Sequence, residues 1–237
     1  PPGGALVEVT CRTLQARLLL RPSPLVREIT LGILGRAQRM TGVAIHAFVF
    51  LANHYHLLVS VSDAAQLARF AGYLNSNLAR EVGRIHTWKE KVWGRRYDAI
   101  LVSEEEEAQV ERLLYLARQG CKEGLVSAPL EWPGATSWLA MLDGRPLEGT
   151  WFDRTAESLA RRRGQEIEGR ELASPETVVL TPLPAWAHLD SEVQQARLRE
   201  ILDLARAEAE AMRQEMGREP LGRDALVRQD PHRSPAL

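Results

Sequence analysis

Apolar positions along the chain change rhythm in a regular way. Leu6 to Thr10 and Leu14 to Leu20 read as strands, and Ser23-Pro24 supplies an N-cap serine followed by proline at the first helical position. From there Leu25, Ile29, Ile33 and Ala37 recur at helical spacing as far as Met40. After Thr41-Gly42, two segments rich in β-branched and apolar residues, Val43 to Leu51 and His54 to Val61, flank the short break at Ala52-Asn53 and predict a well-buried hairpin. Asp63 with Gln66 has capping-box spacing, and Leu67, Phe70, Leu74, Leu78 and Val82 form the apolar stripe of a second long helix. Val92 to Val102 contains a further extended segment. Ser103 and Glu106 repeat the capping-box spacing, and Glu104 to Glu107 lie where a helix N-terminus favours negative charge, so this acidic run predicts a helix start. Gly124, Pro129 and Pro133 close the region.

The order strand, helix, hairpin, helix, strand, helix predicts an α+β fold, an antiparallel sheet backed by helices in a ferredoxin-like arrangement. The character changes after about Trp138. Residues 139–189 carry scattered prolines and the run Arg161-Arg162-Arg163, and Asp190 to Met216 form one long charged helix with Leu198, Ile201, Leu202, Ala205 and Met212 on one face. The division expected is therefore residues 1–138 as the principal domain and 139–237 as a mainly helical C-terminal appendage, packed on the first domain or on a partner. Its end, from Arg218 with Pro220, Pro231 and Pro235, reads as a loose tail.

Composition narrows the classes. With 237 residues, 45% apolar and 26% charged, the chain is neither disordered throughout nor collagenous. His54 and His56 interrupt the most apolar stretch, and no segment approaches the roughly 20 apolar residues that span a bilayer. Two cysteines, Cys11 and Cys121, without Cys-x-x-Cys spacing give no zinc motif or disulfide framework and point to a reducing cytoplasm. The opening Pro1-Pro2-Gly3-Gly4 carries no targeting signal that can be read. The net charge of −1 is unevenly spread: residues 1–140 hold 16 Lys and Arg against 13 Asp and Glu, the remainder 14 against 18. Arg80, Arg84, Lys89, Lys91, Arg95 and Arg96 cluster in one stretch with His86, Trp88 and Trp93 interleaved. That pattern suits a nucleic-acid backbone, and equally a solvated basic loop.

Two features carry chemistry. In Asn53-His54-Tyr55-His56, strand alternation puts both imidazoles on one side and Tyr55 on the other, a pairing suited to a divalent cation or to cross-strand filling. On the helix after Ser103 the core stripe is Val110, Leu113, Leu114 and Ala117, which leaves Tyr115 and Gln119 together on another face, one turn apart. Tyr115 is then a phenol presented outward, either at an interface or in a site. Arg112, Arg118 and Lys122 flank the pair.

Taken together, these segments resemble a known family. Phe48-Val49-Phe50-Leu51-Ala52-Asn53 leading into His54-Tyr55-His56, then Trp93-Gly94-Arg95-Arg96-Tyr97, then Tyr115-Leu116-Ala117-Arg118-Gln119 with Glu123-Gly124-Leu125-Val126, are similar to the single-tyrosine HUH transposases of the IS200/IS605 class, repeat-associated (REP-type) branch, over about residues 5–138. The resemblance implies an HUH domain that cleaves single-stranded DNA near hairpins and transfers strands. It implies Tyr115 as nucleophile, forming a 5′-phosphotyrosine link, and His54, His56 and Gln119 as ligands of Mg²⁺ or Mn²⁺. Phosphate contacts would come from Arg80, Arg84, Lys89, Lys91, Arg95 and Arg96. It implies DNA hairpins as partner, a monomer or homodimer, no membrane, and a cytoplasmic location, on the nucleoid when bound. Gln119-Gly120-Cys121-Lys122-Glu123 departs from the Asn-Pro pattern of many relatives, with glutamine in place of the branch's usual asparagine. A domesticated hairpin-binding regulator without cutting activity, and a phosphodiesterase using water, are the alternatives.

Overall fold

The computed structural model describes residues 4–235; the opening Pro1-Pro2-Gly3 and the last two residues of the expected tail lie outside the described residues. Strands β1 (Ala5–Arg12), β2 (Ala44–Phe50), β3 (His54–Val61) and β4 (Asp98–Leu101) form one antiparallel sheet in the order β2-β3-β1-β4. This is the expected α+β arrangement, with helices on both faces. Odd positions of β3 (Tyr55, Leu57, Val59, Val61) and Val7, Val9 and Cys11 of β1 pack under α1 (Pro24–Thr41) and α2 (Ala64–Ile85). Even positions face α3 (Glu106–Ala117) and the long α6 (Ser191–Met216). Both inner helices start as their sequences dictate: Ser23 Oγ accepts from the Val26 amide with Pro24 next to it, and Asp63 Oδ1 accepts from the Gln66 amide.

Two local expectations are corrected. Leu14 to Leu20 is not a strand. Leu14–Ala16 makes a single 3₁₀ turn with Gln15 and Ala16 at positive φ, and Leu18, Leu19 and Leu20 are buried as a loop tied to the β2–β3 turn by the Leu20 amide on the Ala52 carbonyl. The third helix begins at Glu106 with Glu105 as its N-cap and no side-chain cap bond; Ser103 Oγ accepts from the Glu105 amide instead. The extended segment expected within Val92 to Val102 is present as Asp98–Leu101, which joins the sheet.

The second half of the chain, expected to be mainly helical, also holds a hairpin of β5 (Leu147–Phe152) and β6 (Ala173–Val178), joined through α5 (Arg154–Arg162). This hairpin lies on α1 at backbone contact. A Cβ on Gly32 would sit 2.2 Å from the Thr150 carbonyl, and one on Gly149 the same distance from the Gly32 amide. Neither backbone can yield without losing its own hydrogen bonds, so Gly32→Ala is expected to destabilise the protein by about 3 kcal/mol or more. Urea unfolding of the variant measures it; a midpoint equal to the wild type's would refute the contact.

An ionic clamp fastens the same interface. Glu176 of β6, 7% exposed, accepts from Arg39 (2.7 and 3.0 Å) and Arg36 (2.9 Å). The Arg39 hydrogen bonds, helped by Arg36, hold its carboxyl below the usual carboxylate range although burial works the other way. A pKa lowered by folding contributes stability that is present at neutral pH and lost as pH falls through the lowered value. Glu176→Gln should therefore be less stable than the wild type at neutral pH but lose less stability as pH falls, the two converging in acid, readable by urea unfolding followed by circular dichroism at a series of pH values.

Helix α6 braces α3. Arg118 forks onto Glu208 at 2.5 and 2.6 Å, Arg197 pairs with Glu106, and Leu198, Ile201, Leu202 and Ala205 fill the space between. The segment expected to be a loose tail contains α7 (Arg223–Arg228), and its end turns back on the first half of the chain. The Leu18 amide donates to the Arg233 carbonyl, Arg21 to the Gln229 carbonyl, and Ser234 Oγ to the Gln15 carbonyl.

Candidate active site

The register of β1 against β3 sets the site. Glu8, Thr10 and Arg12 lie opposite Leu58, His56 and His54, so all project from the face that meets α3. The β2–β3 turn that presents the histidines is held by the Leu51 amide on the His54 carbonyl and by the Thr13 amide on the Asn53 carbonyl. The two imidazole centroids are 5.0 Å apart, and Tyr115 stands 5.4 Å from the His56 ring, edge to face at 80°. His54, His56, Tyr115 and Gln119 all line one cavity of about 910 Å³, whose wall also includes Arg12, Arg95, Asp98, Lys122, Glu123, Gln229 and Pro235. The structure thus brings together the four residues singled out on the strand and the helix.

Each imidazole is fixed through its Nδ1. His54 Nδ1 lies 2.6 Å from Asn53 Oδ1, and His56 Nδ1 lies 2.7 Å from Glu8 Oε1. Amide and carboxylate oxygens only accept, so both Nδ1 atoms carry hydrogen, and in the neutral rings the lone pairs reside on Nε2. The His54 pKa is pushed down to about 4, first by burial, then by the neighbouring His56, against an opposing hydrogen bond from Gln119. At neutral pH His54 is therefore a neutral donor. His56 Nε2 is buried and has no hydrogen-bond partner among the described residues.

Glu8 was not singled out by the sequence reading. It is fully buried on β1, with Oε1 on His56 and Oε2 accepting from Arg112 Nη1 at 2.9 Å. Its signal was present: an acidic residue at the centre of the apolar strand Leu6-Val7-Glu8-Val9 is costly unless paired.

Gln119 lies just beyond the helix rather than on it. Helix α3 ends at Ala117, and Gly120 takes a left-handed φ of +85° with Trp132 and Val126 pressed against the position of a Cβ. The glycine that departs from the family pattern is what turns the chain there, leaving Gln119 3% exposed with its Nε2 donating to the Tyr115 carbonyl at 3.0 Å. Around the half-buried Tyr115 ring stand Lys122 Nζ at 4.5 Å and the Arg112 guanidinium at 5.5 Å from its centroid.

The donor set fits a divalent metal: two imidazoles with Nδ1 satisfied, a buried Nε2 left open, and an amide beside them. No cluster of three or more His, Cys, Asp or Glu with metal-binding placement occurs among the described residues; beside the two imidazoles, Gln119 is the further side chain that could offer an oxygen.

The six cations of the Arg80 to Arg96 stretch are all exposed. Only Arg95 lines the cavity, where it pairs with Asp98 at 2.5 Å; Arg84 pairs instead with Glu157 at 3.4 Å. Trp93 packs edge-on against Tyr55 at 5.7 Å and donates to the Asn75 carbonyl, a structural role. Trp88 is half-buried, with the Arg17 guanidinium 5.3 Å and the His232 ring 5.5 Å away. Cys11 and Cys121 are free, buried thiols whose pKa values burial pushes up to about 11 and about 12, which keeps them protonated and unreactive.

Residues 18–119 match the family described as "Transposase IS200 like". Among solved structures, the chain is similar to a "REP associates tyrosine transposase bound to a REP hairpin" (15% identity, 61% of this chain and 84% of that one, TM-score 0.48). It is also similar to a crystal structure described as "a putative transposase from deinococcus radiodurans r1" (19% identity, 46% and 88%, TM-score 0.35). No curated protein matches. No helix among the described residues is long and apolar enough to cross a membrane.

Proposed function

We propose that the protein cleaves single-stranded DNA at hairpins and rejoins it to another strand end, using Tyr115 as nucleophile and a divalent metal at His54, His56 and Gln119. The observation that carries this reading is the shared cavity, in which the Tyr115 ring lies beside a buried histidine nitrogen that has no protein partner. The match of residues 18–119 to the IS200-like transposase family supports DNA as the substrate.

In the reaction, Tyr115 Oη attacks the scissile phosphorus. The bond from phosphorus to the 3′ oxygen breaks, the phenolic proton is given up, and the departing oxygen takes a proton to become a free 3′-hydroxyl. The downstream fragment stays on Tyr115 through its 5′ phosphate as a phosphotyrosine, which stores the diester energy, so attack by a second 3′-hydroxyl reverses the step without water or a nucleotide cofactor. A divalent ion, Mg²⁺ or Mn²⁺, supplies charge withdrawal from the phosphate when bound. Glu8 and Asn53 hold the imidazoles in the tautomer that presents Nε2, and Gln119 offers its amide oxygen. Lys122 and Arg12 place positive charge at the cavity wall, where the phosphate would lie. Every one of these groups comes from a single chain, so a monomer holds the complete set.

Incubation with a 3′-end-labelled DNA hairpin carrying single-stranded flanks and Mn²⁺, followed by denaturing electrophoresis, tests the reading. A labelled protein band supports it. Tight binding without an adduct would assign the chain to hairpin-binding regulators, and cleavage without an adduct to water-using phosphodiesterases.

A further inference from the structure

A second charged feature lies outside the Tyr115 cavity. At the C-terminal end of α2, helix α5 lies across a cleft of about 390 Å³ lined by Arg84, Arg154, Glu157, Ser158, Arg161 and Arg162. The acids sit beneath the cations. Glu81 and Glu157 are 5% and 3% exposed; Arg154 bridges them, and Arg84 and Arg161 converge on the same Glu157 from 3.4 and 2.6 Å. Arg154 takes both oxygens of Glu81 and Oε2 of Glu157, which leaves Arg84 and Arg161 to share the single remaining Oε1 of Glu157. The additional guanidiniums are exposed, and ion pairs so exposed add little to a fold. Arg162 has no acidic partner among the described residues. Four guanidiniums over two carboxylates leave an excess of two positive charges, in a chain whose net charge is −1.

The outer face therefore presents planar N–H forks that fit phosphate oxygens in pairs. No aromatic ring lines the cleft, so it offers no stacking surface for unpaired bases. We propose that this cleft is a second DNA contact, one that grips backbone phosphates of the paired stem of a hairpin and carries no sequence readout. The proposal rests on the reading that the protein works on DNA.

Anisotropy titrations of wild type, an Arg161→Gln/Arg162→Gln double variant and Ser158→Glu against a labelled hairpin and an unpaired oligonucleotide, over a series of salt concentrations, test it. Ser158→Glu keeps every arginine and adds a negative charge to an exposed position. The expected result is roughly tenfold weaker hairpin binding in both variants and, in the double variant, a salt dependence shallower by about two counterions. Binding of the unpaired oligonucleotide should be unchanged. Wild-type affinity and slope in both variants would overturn the cleft assignment while leaving DNA action standing, and an equal loss on the unpaired oligonucleotide would overturn the stem assignment. Absence of wild-type binding to either DNA would overturn the underlying reading as well.

Discussion

Tyr115→Phe should eliminate the covalent protein–DNA adduct, lowering its yield by roughly 10³-fold or more, while hairpin affinity stays within about twofold. The substitution removes one oxygen and leaves the ring, which keeps its edge-to-face contact with His56 and its place beside Lys122 and Arg112. Fold and DNA binding are therefore preserved, and only bond formation to phosphorus is lost. Denaturing electrophoresis with Mn²⁺ separates the outcomes, and an undiminished adduct in the variant would remove Tyr115 from the chemistry.

Glu8→Gln should weaken Mn²⁺ binding by about 10- to 100-fold, the usual cost of disturbing a group that orients a metal-bound histidine. The amide keeps the shape, but it is uncharged and its orientation is divided between His56 and Arg112, which now needs an acceptor that the carboxylate supplied. His56 is then free to turn its Nδ1 away and take the other tautomer. Mn²⁺ titration followed by electron paramagnetic resonance reads this without any DNA, so the result is independent of turnover. A variant binding Mn²⁺ like the wild type would show that Glu8 only balances Arg112.

Much of the frame was legible because local signals agreed with one another. Ser23-Pro24 and Asp63 with Gln66 started helices where the structure has them, and the apolar runs around Asn53 gave the hairpin that carries both histidines. The alternation rule put His54 and His56 on one face, and helical geometry put Tyr115 on another face from Leu113 and Ala117. What could not be read was pairing between distant segments. The partner of the buried Glu8 emerged when strand register set it two pairs from His56, on the same face. The β5–β6 hairpin escaped because Leu147-Glu148-Gly149-Thr150 and Ala173-Ser174-Pro175-Glu176 are polar, short and interrupted by glycine and proline, and their reason for being extended is the surface of α1. Prolines after Arg218 signalled a loose end, yet one backbone hydrogen bond and the side chains of Arg21 and Ser234 tie this segment to residues 15–21, a pairing of distant segments that local pattern does not reveal.

The backbone seam between Gly32 and Gly149 also bears on how the protein can be dissected. A fragment stopped near Trp138 would retain Tyr115 and both imidazoles, yet Arg36 and Arg39 would lose their counter-charge and α3 would lose the buttress of α6. Such a fragment should be sticky and slack. Miniaturising this protein therefore means redesigning two newly bared surfaces, and cutting a linker will not suffice.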